Sequence, residues 1–464
     1  MLPRLSRKFG GRDSAFLFLG LLLLWSVVAL LFANRDRIYG QQTKDRSGDV
    51  GARAAEALVH QQTRENEKLA GKLRRLFPHG VRRPAAVAHA GRGDPREQLA
   101  TPAPAASLRP KDREEPVIAV LVIACNRPAA VQHHLETILK LRPSARRFPV
   151  VVSQDCGHEP TAAVIRSFGD RVAHFLQQPD LSPIELSAKE SKFLGYYKIS
   201  RHYRYALTQV FAVLGYETAI VTEDDLDLAV DFFEYFAATQ PLLRRDPTLF
   251  CVSAWNDNGK AQLIDHDPEL VHRTDFFPGL GWMLTRQLFK ELIVKWPAAF
   301  WDDWLRNPEQ TRQRSCLRPE VSRTAMNAAG KVGVSKGQYF EQHLKKIQLN
   351  ERFVNFSSMD LSGLLKSAYD ERFKAVVYGA PSVSQSELRT GKTSDGQPLP
   401  AVVRLTYHEK GTFKRTAKAF GLMDDFRAGV PRMAYRGVVG FVFEGRRVYL
   451  APPATWTAYD PSWS

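Results

Sequence analysis

Two clusters of carboxylates stand out against their apolar neighbours. Glu223-Asp224-Asp225 follows the apolar run Ala219-Ile220-Val221-Thr222 directly, which puts three acids at the mouth of a buried strand. Acidic triplets commonly cap helices or face water. At a strand tip, however, one or two carboxylates supply the hard oxygen ligands that Mn²⁺ or Mg²⁺ prefers, and leave positions open for diphosphate oxygens. A metal held there neutralises charge that builds on a departing nucleoside diphosphate. The second cluster, Phe300-Trp301-Asp302-Asp303-Trp304, sets two carboxylates between indoles. One reading is an amphipathic helical turn with core tryptophans and acids at the helix start. The other is a sugar-binding wall, in which an indole covers the C–H face of a pyranose and a carboxylate accepts the proton of an attacking hydroxyl. Paired carboxylates also serve glycoside hydrolases. The acidic strand tip makes transfer from a nucleotide sugar the better fit.

Such residues need a scaffold that brings them together. PVIAVLVIAC (116–125), FPVVVSQD (148–155), RVAHFLQQ (171–178) and YETAIVTEDD (216–225) are short apolar runs ending in polar clusters, which predicts buried parallel strands. Helically spaced segments, Ala129–Leu141, Pro160–Phe168 and Ser191–Leu214, lie between them. The order is that of an α/β, doubly wound, Rossmann-like nucleotide-binding sheet. Ligands of open α/β sheets sit at the carboxyl ends of the strands. Cys125-Asn126-Arg127, Gln154-Asp155-Cys156 and Glu223-Asp224-Asp225 fall there. No G-x-G-x-x-G or Walker lysine loop follows any of these strands, which weakens a dinucleotide oxidoreductase or P-loop reading. The four cysteines, Cys125, Cys156, Cys251 and Cys316, form no C-x-x-C pair, which argues against a thiolate metal site. Their even number suits disulfides in an oxidising lumen, with Cys125 and Cys156 on neighbouring strand tips; free buried cysteines are the alternative.

The 464 residues, 44% hydrophobic and 25% charged, suit two or three globular units. Of the net charge of +16, residues 1–14 carry +3, residues 34–115 carry +6 and the remainder only +7. So dispersed an excess, without a zinc-finger or RNA-recognition motif, argues against a nucleic-acid partner. Ala15–Ala33 is an uncharged apolar run, longer than the ~7–15-residue core of a cleaved signal, and is read as a transmembrane anchor. Arg4, Arg7, Lys8 and Arg12 before it place residues 1–14 in the cytosol and the bulk of the chain in the lumen. Residues 34–115, rich in Arg, Ala, Gly, Gln and Pro, read as a flexible stem. Within it Leu58, Leu69, Leu73 and Leu76 suggest a transient helix between Val50 and Leu76, a candidate for self-association alongside the membrane helix. Asn355-Phe356-Ser357 is a lone glycosylation triplet.

From Pro116 onward the blocks VLVIACNRP, PVVVSQDCGHE, KFLGYYKISRHYRYAL, EDDLDLAVDFFEYF, CVSAWNDNGK, RTDFFPGLGWMLT, KWPAAFWDDW, RPEVSRT, GVSKGQYFEQHL and LAPPATW occur in order. In these the chain resembles the N-acetylglucosaminyltransferase I family. The resemblance implies a GT-A glycosyltransferase domain over residues 116–365, a smaller domain over 366–464, and a single-pass type II Golgi anchor. It implies inverting, Mn²⁺-dependent transfer of GlcNAc from UDP-GlcNAc, in β-1,2 linkage, to the α-1,3-linked mannose of an oligomannose N-glycan. Carried over residue by residue, it puts Arg127 and Asp155 at the uridine end, His202 near the nucleotide, Glu223 and Asp224 at sugar and ribose, and Asp225 on the metal. Leu280, Trp301 and Leu344 would line the GlcNAc or acceptor pocket, Ser335 would belong to a loop closing over UDP, and Asp302 would be the base. The implied disulfides are Cys125–Cys156 and Cys251–Cys316. Between SRT and GVS the chain reads AMNAAGKV, longer than the resemblance implies. The competing readings are a protein O-mannose β-1,2-GlcNAc transferase, which calls for a folded carbohydrate-binding stem domain that residues 34–115 do not offer, and a non-catalytic Golgi lectin or scaffold.

Overall fold

The computed structural model describes residues 116–335 and 337–463, all within one compact unit. The expected cytosolic tail, anchor and stem lie outside the described residues. Among the described residues no helix is long and apolar enough to cross a membrane.

Strands β1 (Ala119–Ala124), β2 (Val150–Gln154), β3 (His174–Gln177) and β4 (Thr218–Glu223) are the four apolar runs expected to be strands, and all pair in parallel. Between them lie α1 (Pro128–Leu141), α2 (Glu159–Ser167) and α3 (Leu194–Thr208), the last continuing through a π turn to Val213. α1 starts where it does because Pro128 occupies the first helical turn, where its missing N–H costs nothing. The alternation of strand side chains builds two cores. Val120, Val122, Val150, Val152 and Ile220 pack on one face with Val131, Leu135 and Ile138 of α1. Ala119, Leu121, Val151, Ala219 and Val221 face the other way, against Tyr203, Leu207 and Phe211.

The sheet extends beyond those four strands. β5 (Leu226–Leu228) leaves it, then come α4 (Phe232–Arg245), β6 (Leu249–Ser253), β7 (Val271–Thr274), β8 (Trp282–Thr285), α5 (Arg286–Ile293), α6 (Trp301–Leu305) and β9 (Ser315–Pro319). The eight-stranded order is β3-β2-β1-β4-β8-β6-β9-β7. β8 is antiparallel to both β4 and β6, so the sheet is mixed. β1 lies between β2 and β4, so the chain reverses direction across the sheet at the tips of β1 and β4, the crevice where open α/β sheets bind ligands. β10 (Thr324–Met326) pairs with β5 in an antiparallel ribbon just beyond Asp225.

After α7 (Lys366–Gly379) a smaller sheet, β11 (Val402–Thr406), β14 (Val439–Phe443) and β15 (Arg446–Ala451), forms in the order β11-β15-β14. It has its own core of Val403, Leu405, Phe413, Phe441, Val448 and Leu450. The hairpin of β12 (Phe426–Arg427) and β13 (Val430–Pro431) lies between β11 and β14 in sequence. All four cysteines are paired, as Cys125–Cys156 and Cys251–Cys316. The first ties the tips of β1 and β2, with the two Cα atoms 5.6 Å apart.

Candidate active site

The acids at the end of β4 are buried. Asp224 and Asp225 are 1% and 6% exposed. Arg127, immediately before α1, bridges them: Nη1 is 3.0 Å from Asp225 Oδ2, and Nη2 donates to Asp224 Oδ1. The other oxygen of each carboxylate, Asp224 Oδ2 and Asp225 Oδ1, is buried with no hydrogen-bond partner. Burial pushes the Asp224 carboxyl up to about 6 against the pull of Arg127. Burial, then the charge of Asp225, raises Glu223 to about 7 against the hydrogen bond from Tyr203 and the charge of Arg127. Deeper in the crevice His202 Nε2 lies 2.9 Å from Ser153 Oγ. Burial lowers His202 to about 4 despite Asp155, so its imidazole is neutral at pH 7. Asp155, at the tip of β2, is buried and donates its backbone N–H to Ala124.

The segment after Thr324 folds over this centre. Asn327 N donates to the Asp225 carbonyl at 2.9 Å, and the Ala329 carbonyl accepts from Arg127 Nη1 at 2.9 Å. Farther on, Val334 packs so closely on Gly195 at the start of α3 that a Cβ on the glycine would overlap it. Ser335 is half-buried beside it. Residues 327–329 thus lie over the acids, and Val334 brings the expected nucleotide-closing loop against the start of α3.

A short path leads from the acidic tip to the second cluster. Tyr203 donates its hydroxyl to Glu223 Oε1 at 2.7 Å, and its ring stacks on Trp301 with centroids 4.1 Å apart. Trp301 is also near-parallel to Trp282 and Trp296, and belongs to the core. Trp301 is thus buried among these rings, at the start of the turn that bears Asp302. That turn opens with Phe300 in the left-handed region, φ 52°, a strained state for a phenylalanine. Asp302 remains 42% exposed. Leu280, half-buried at φ 47° between Gly279 and Gly281, accepts a hydrogen bond from Thr324 Oγ1 at its carbonyl. Leu344 is half-buried in a turn after the roofing segment.

The sequence profile of the GNT-I family matches residues 25–463. The α-1,3-mannosyl-glycoprotein 2-β-N-acetylglucosaminyltransferase of Arabidopsis thaliana is 39% identical over 340 residues, covering 73% of this chain and 74% of its own. The chain belongs to the GNT-I family. Solved structures are more distant. Mannosyltransferase PcManGT from Pyrobaculum calidifontis, in complex with GDP-Man and Mn²⁺, matches at TM-score 0.31 and 15% identity, over 46% of this chain and 60% of its own. Staphylococcus aureus TarS 1-349 with UDP matches at TM-score 0.33 and 11% identity, over 59% and 78%. Likenesses of that size carry no argument about chemistry.

For this GNT-I family member the unpartnered oxygens of Asp224 and Asp225 decide whether a divalent cation suits the site. Buried carboxylate oxygens without a donor are costly unless a ligand completes them. They are also the donors a hard cation takes. Among the described residues no three His, Cys, Asp or Glu side chains gather to enclose a metal. The two unpartnered carboxylate oxygens fit a hard divalent cation. Three participants escaped the sequence reading. Tyr203 stands next to His202, and its signal was there to be read as a buried polar residue on α3. Arg306, four residues after Asp302, is detectable as an i,i+4 partner. Arg427 carries no local signal.

Proposed function

We propose that the chain moves GlcNAc from UDP-GlcNAc onto the α-1,3-linked mannose of an oligomannose N-glycan in β-1,2 linkage, with inversion, and so starts hybrid and complex N-glycan synthesis. The reading rests on one observation: Glu223 of the buried β4 tip is linked, through the hydroxyl of Tyr203 and the stack of its ring on Trp301, to the turn that bears the exposed Asp302. Residues 116–365 are proposed as a GT-A domain and 366–464 as a smaller one. Residues 15–33 are proposed as a Golgi anchor that leaves the catalytic part lumenal.

Asp225, with Asp224 beside it, would hold Mn²⁺, which when bound supplies positive charge against the diphosphate leaving group. Arg127 and Asp155 would engage the uridine end, with His202 as a neutral hydrogen-bonding wall. Glu223, held in place by Tyr203, would orient the sugar. Leu280 and Leu344 would shape the GlcNAc or acceptor pocket, and the Ser335 loop would exclude water. Asp302 would take the proton of the acceptor's 2-hydroxyl as that oxygen attacks the anomeric carbon opposite UDP. One displacement turns an α-linked donor into a β-linked product. Incubation with UDP-GlcNAc, Mn²⁺ and a five-mannose N-glycan tests this, with NMR of the product. A β-1,2 linkage is expected. No transfer, or an α linkage, overturns the proposal.

A further inference from the structure

The carboxylate on which that proposal rests shares its cation. Arg306 Nη1 lies 2.9 Å from Asp302 Oδ2 and 2.7 Å from Asp303 Oδ1. Two adjacent acids thus draw on one guanidinium nitrogen, and the nearer is not the proposed base. Arg306 itself is 9% exposed, and is fixed by the Phe277 carbonyl at 3.1 Å and by the ring of Phe276. These contacts place its guanidinium between the two acids. What settles the division is a second guanidinium from 124 residues downstream: Arg427 Nε donates to Asp303 Oδ1 at 2.7 Å.

The hairpin that presents Arg427 is held in several ways. Its turn residues Ala428 and Gly429 have φ 48° and 83°, as a two-residue type I′ turn requires. A Cβ on Gly429 would overlap the Asp460 carbonyl, so the loop is pressed against the C-terminal segment. Phe426 is buried against Phe413 and Trp463. Arg432, just after β13, donates to Asp425 and, at 3.0 Å, to Asp257, which accepts from the buried Trp255 Nε1 at 2.9 Å. A continuous set of ion pairs therefore runs from the loop after β6, through Asp425 and the hairpin, where Arg427 Nη1 lies 3.5 Å from Asp425, to the turn that bears Asp302.

We infer that Arg427 is a positioning residue for the transfer reaction: by anchoring and neutralising Asp303 it keeps Arg306 shared with Asp302, and holds the proposed base in its working orientation. This rests on the reading of Asp302 as the base. It gives the C-terminal segment a consequence for catalysis through Asp303, without contact with the reacting atoms. Lose Arg427, and Asp303 draws Arg306 alone, while its uncompensated charge repels Asp302.

Steady-state kinetics on the full chain, with UDP-GlcNAc and a five-mannose acceptor, test the inference. Arg427→Ala should lower kcat about tenfold, less than the ~10²-fold of a 1 Å misplacement, and leave donor KM within about twofold. Arg427 is partly exposed, so the thermal midpoint should stay near that of the wild type. Arg427→Lys should recover part of the rate, since it keeps the charge but not the fork. The deciding measurement is the cycle with Asp303→Asn: once Asp303 is uncharged, adding Arg427→Ala should cause no further loss. The inference is overturned if Arg427→Ala keeps kcat within about twofold of wild type, or if the full loss recurs in the double variant as two independent effects would give. Asp302→Asn separates the two ideas. If it stays active the base reading fails, whatever Arg427 does; if it is inactive while Arg427→Ala is unimpaired, only the positioning inference fails.

Discussion

Asp302 and Asp303 are the same side chain one residue apart, and their surroundings make them different. Asp303 is bonded to two guanidinium groups, and although burial opposes its charge, Arg306 and Arg427 hold it below the usual carboxylate range. Asp302 has one such partner, at one oxygen. A general base needs a free lone pair, so Asp302→Asn should cut transfer by at least about 10²-fold while donor binding survives, and Asp303→Asn should cost less. Single-turnover rates beside donor titrations check both. At the β4 tip the proposed metal ligand is Asp225. Its unpartnered oxygen is a ligand that an amide replaces poorly, so Asp225→Asn should weaken Mn²⁺-dependent UDP-GlcNAc binding. Unchanged affinity by calorimetry would remove Asp225 from the metal shell.

At the scale of elements, the acidic tip is steadied by the β5–β10 ribbon that follows it. Arg323, next to β10, grips Asp231 with Nε and Nη2 at 2.9–3.2 Å, both side chains wholly buried, and Asn350 Nδ2 adds a bond at 2.9 Å. Arg323→Ala strands a buried carboxylate and should cost about 3–5 kcal/mol in urea unfolding, whereas replacing both partners by apolar residues should cost far less. A second junction joins the large sheet to the small one. Glu320, after β9, accepts from Arg447 of β15 at 2.8 Å and from Arg318 at 3.3 Å. Burial opposes its charge, but His272, Arg447 and Arg318 outweigh burial and hold its pKa well below the usual range. A depressed pKa means that the charged form contributes fully above the unfolded value of about 4.3, and that this contribution is lost as pH falls through the folded value. The stability gap between wild type and Glu320→Gln should therefore be widest near neutral pH and close as the pH drops below about 4. A gap independent of pH would sever the link to this charge.

At the scale of the molecule, every proposed site residue lies at or beyond Cys125, and the first described strand begins at Ala119. A secreted form beginning near Glu115 should transfer GlcNAc. If it folds yet stays inert while the full chain is active, the proposed boundary is wrong.

The first half of the large sheet was legible because its information is local. Four apolar runs, each ending in polar residues, specify buried strands by composition and length alone, and β1 to β4 form where those runs lie. The tips then had to meet, and the acids of β4 and the Cys125–Cys156 pair met as strand order requires. The other half was not legible, since β8 enters antiparallel between β4 and β6, and pairings between strands distant in sequence leave no periodic trace. The same division holds in the site. The FWDDW turn announces two acids, and nothing within it tells them apart. The hairpin that brings Arg427 to Asp303 across 124 residues does so, because a charge pair formed by folding depends on where the backbone places two side chains rather than on what stands next to them.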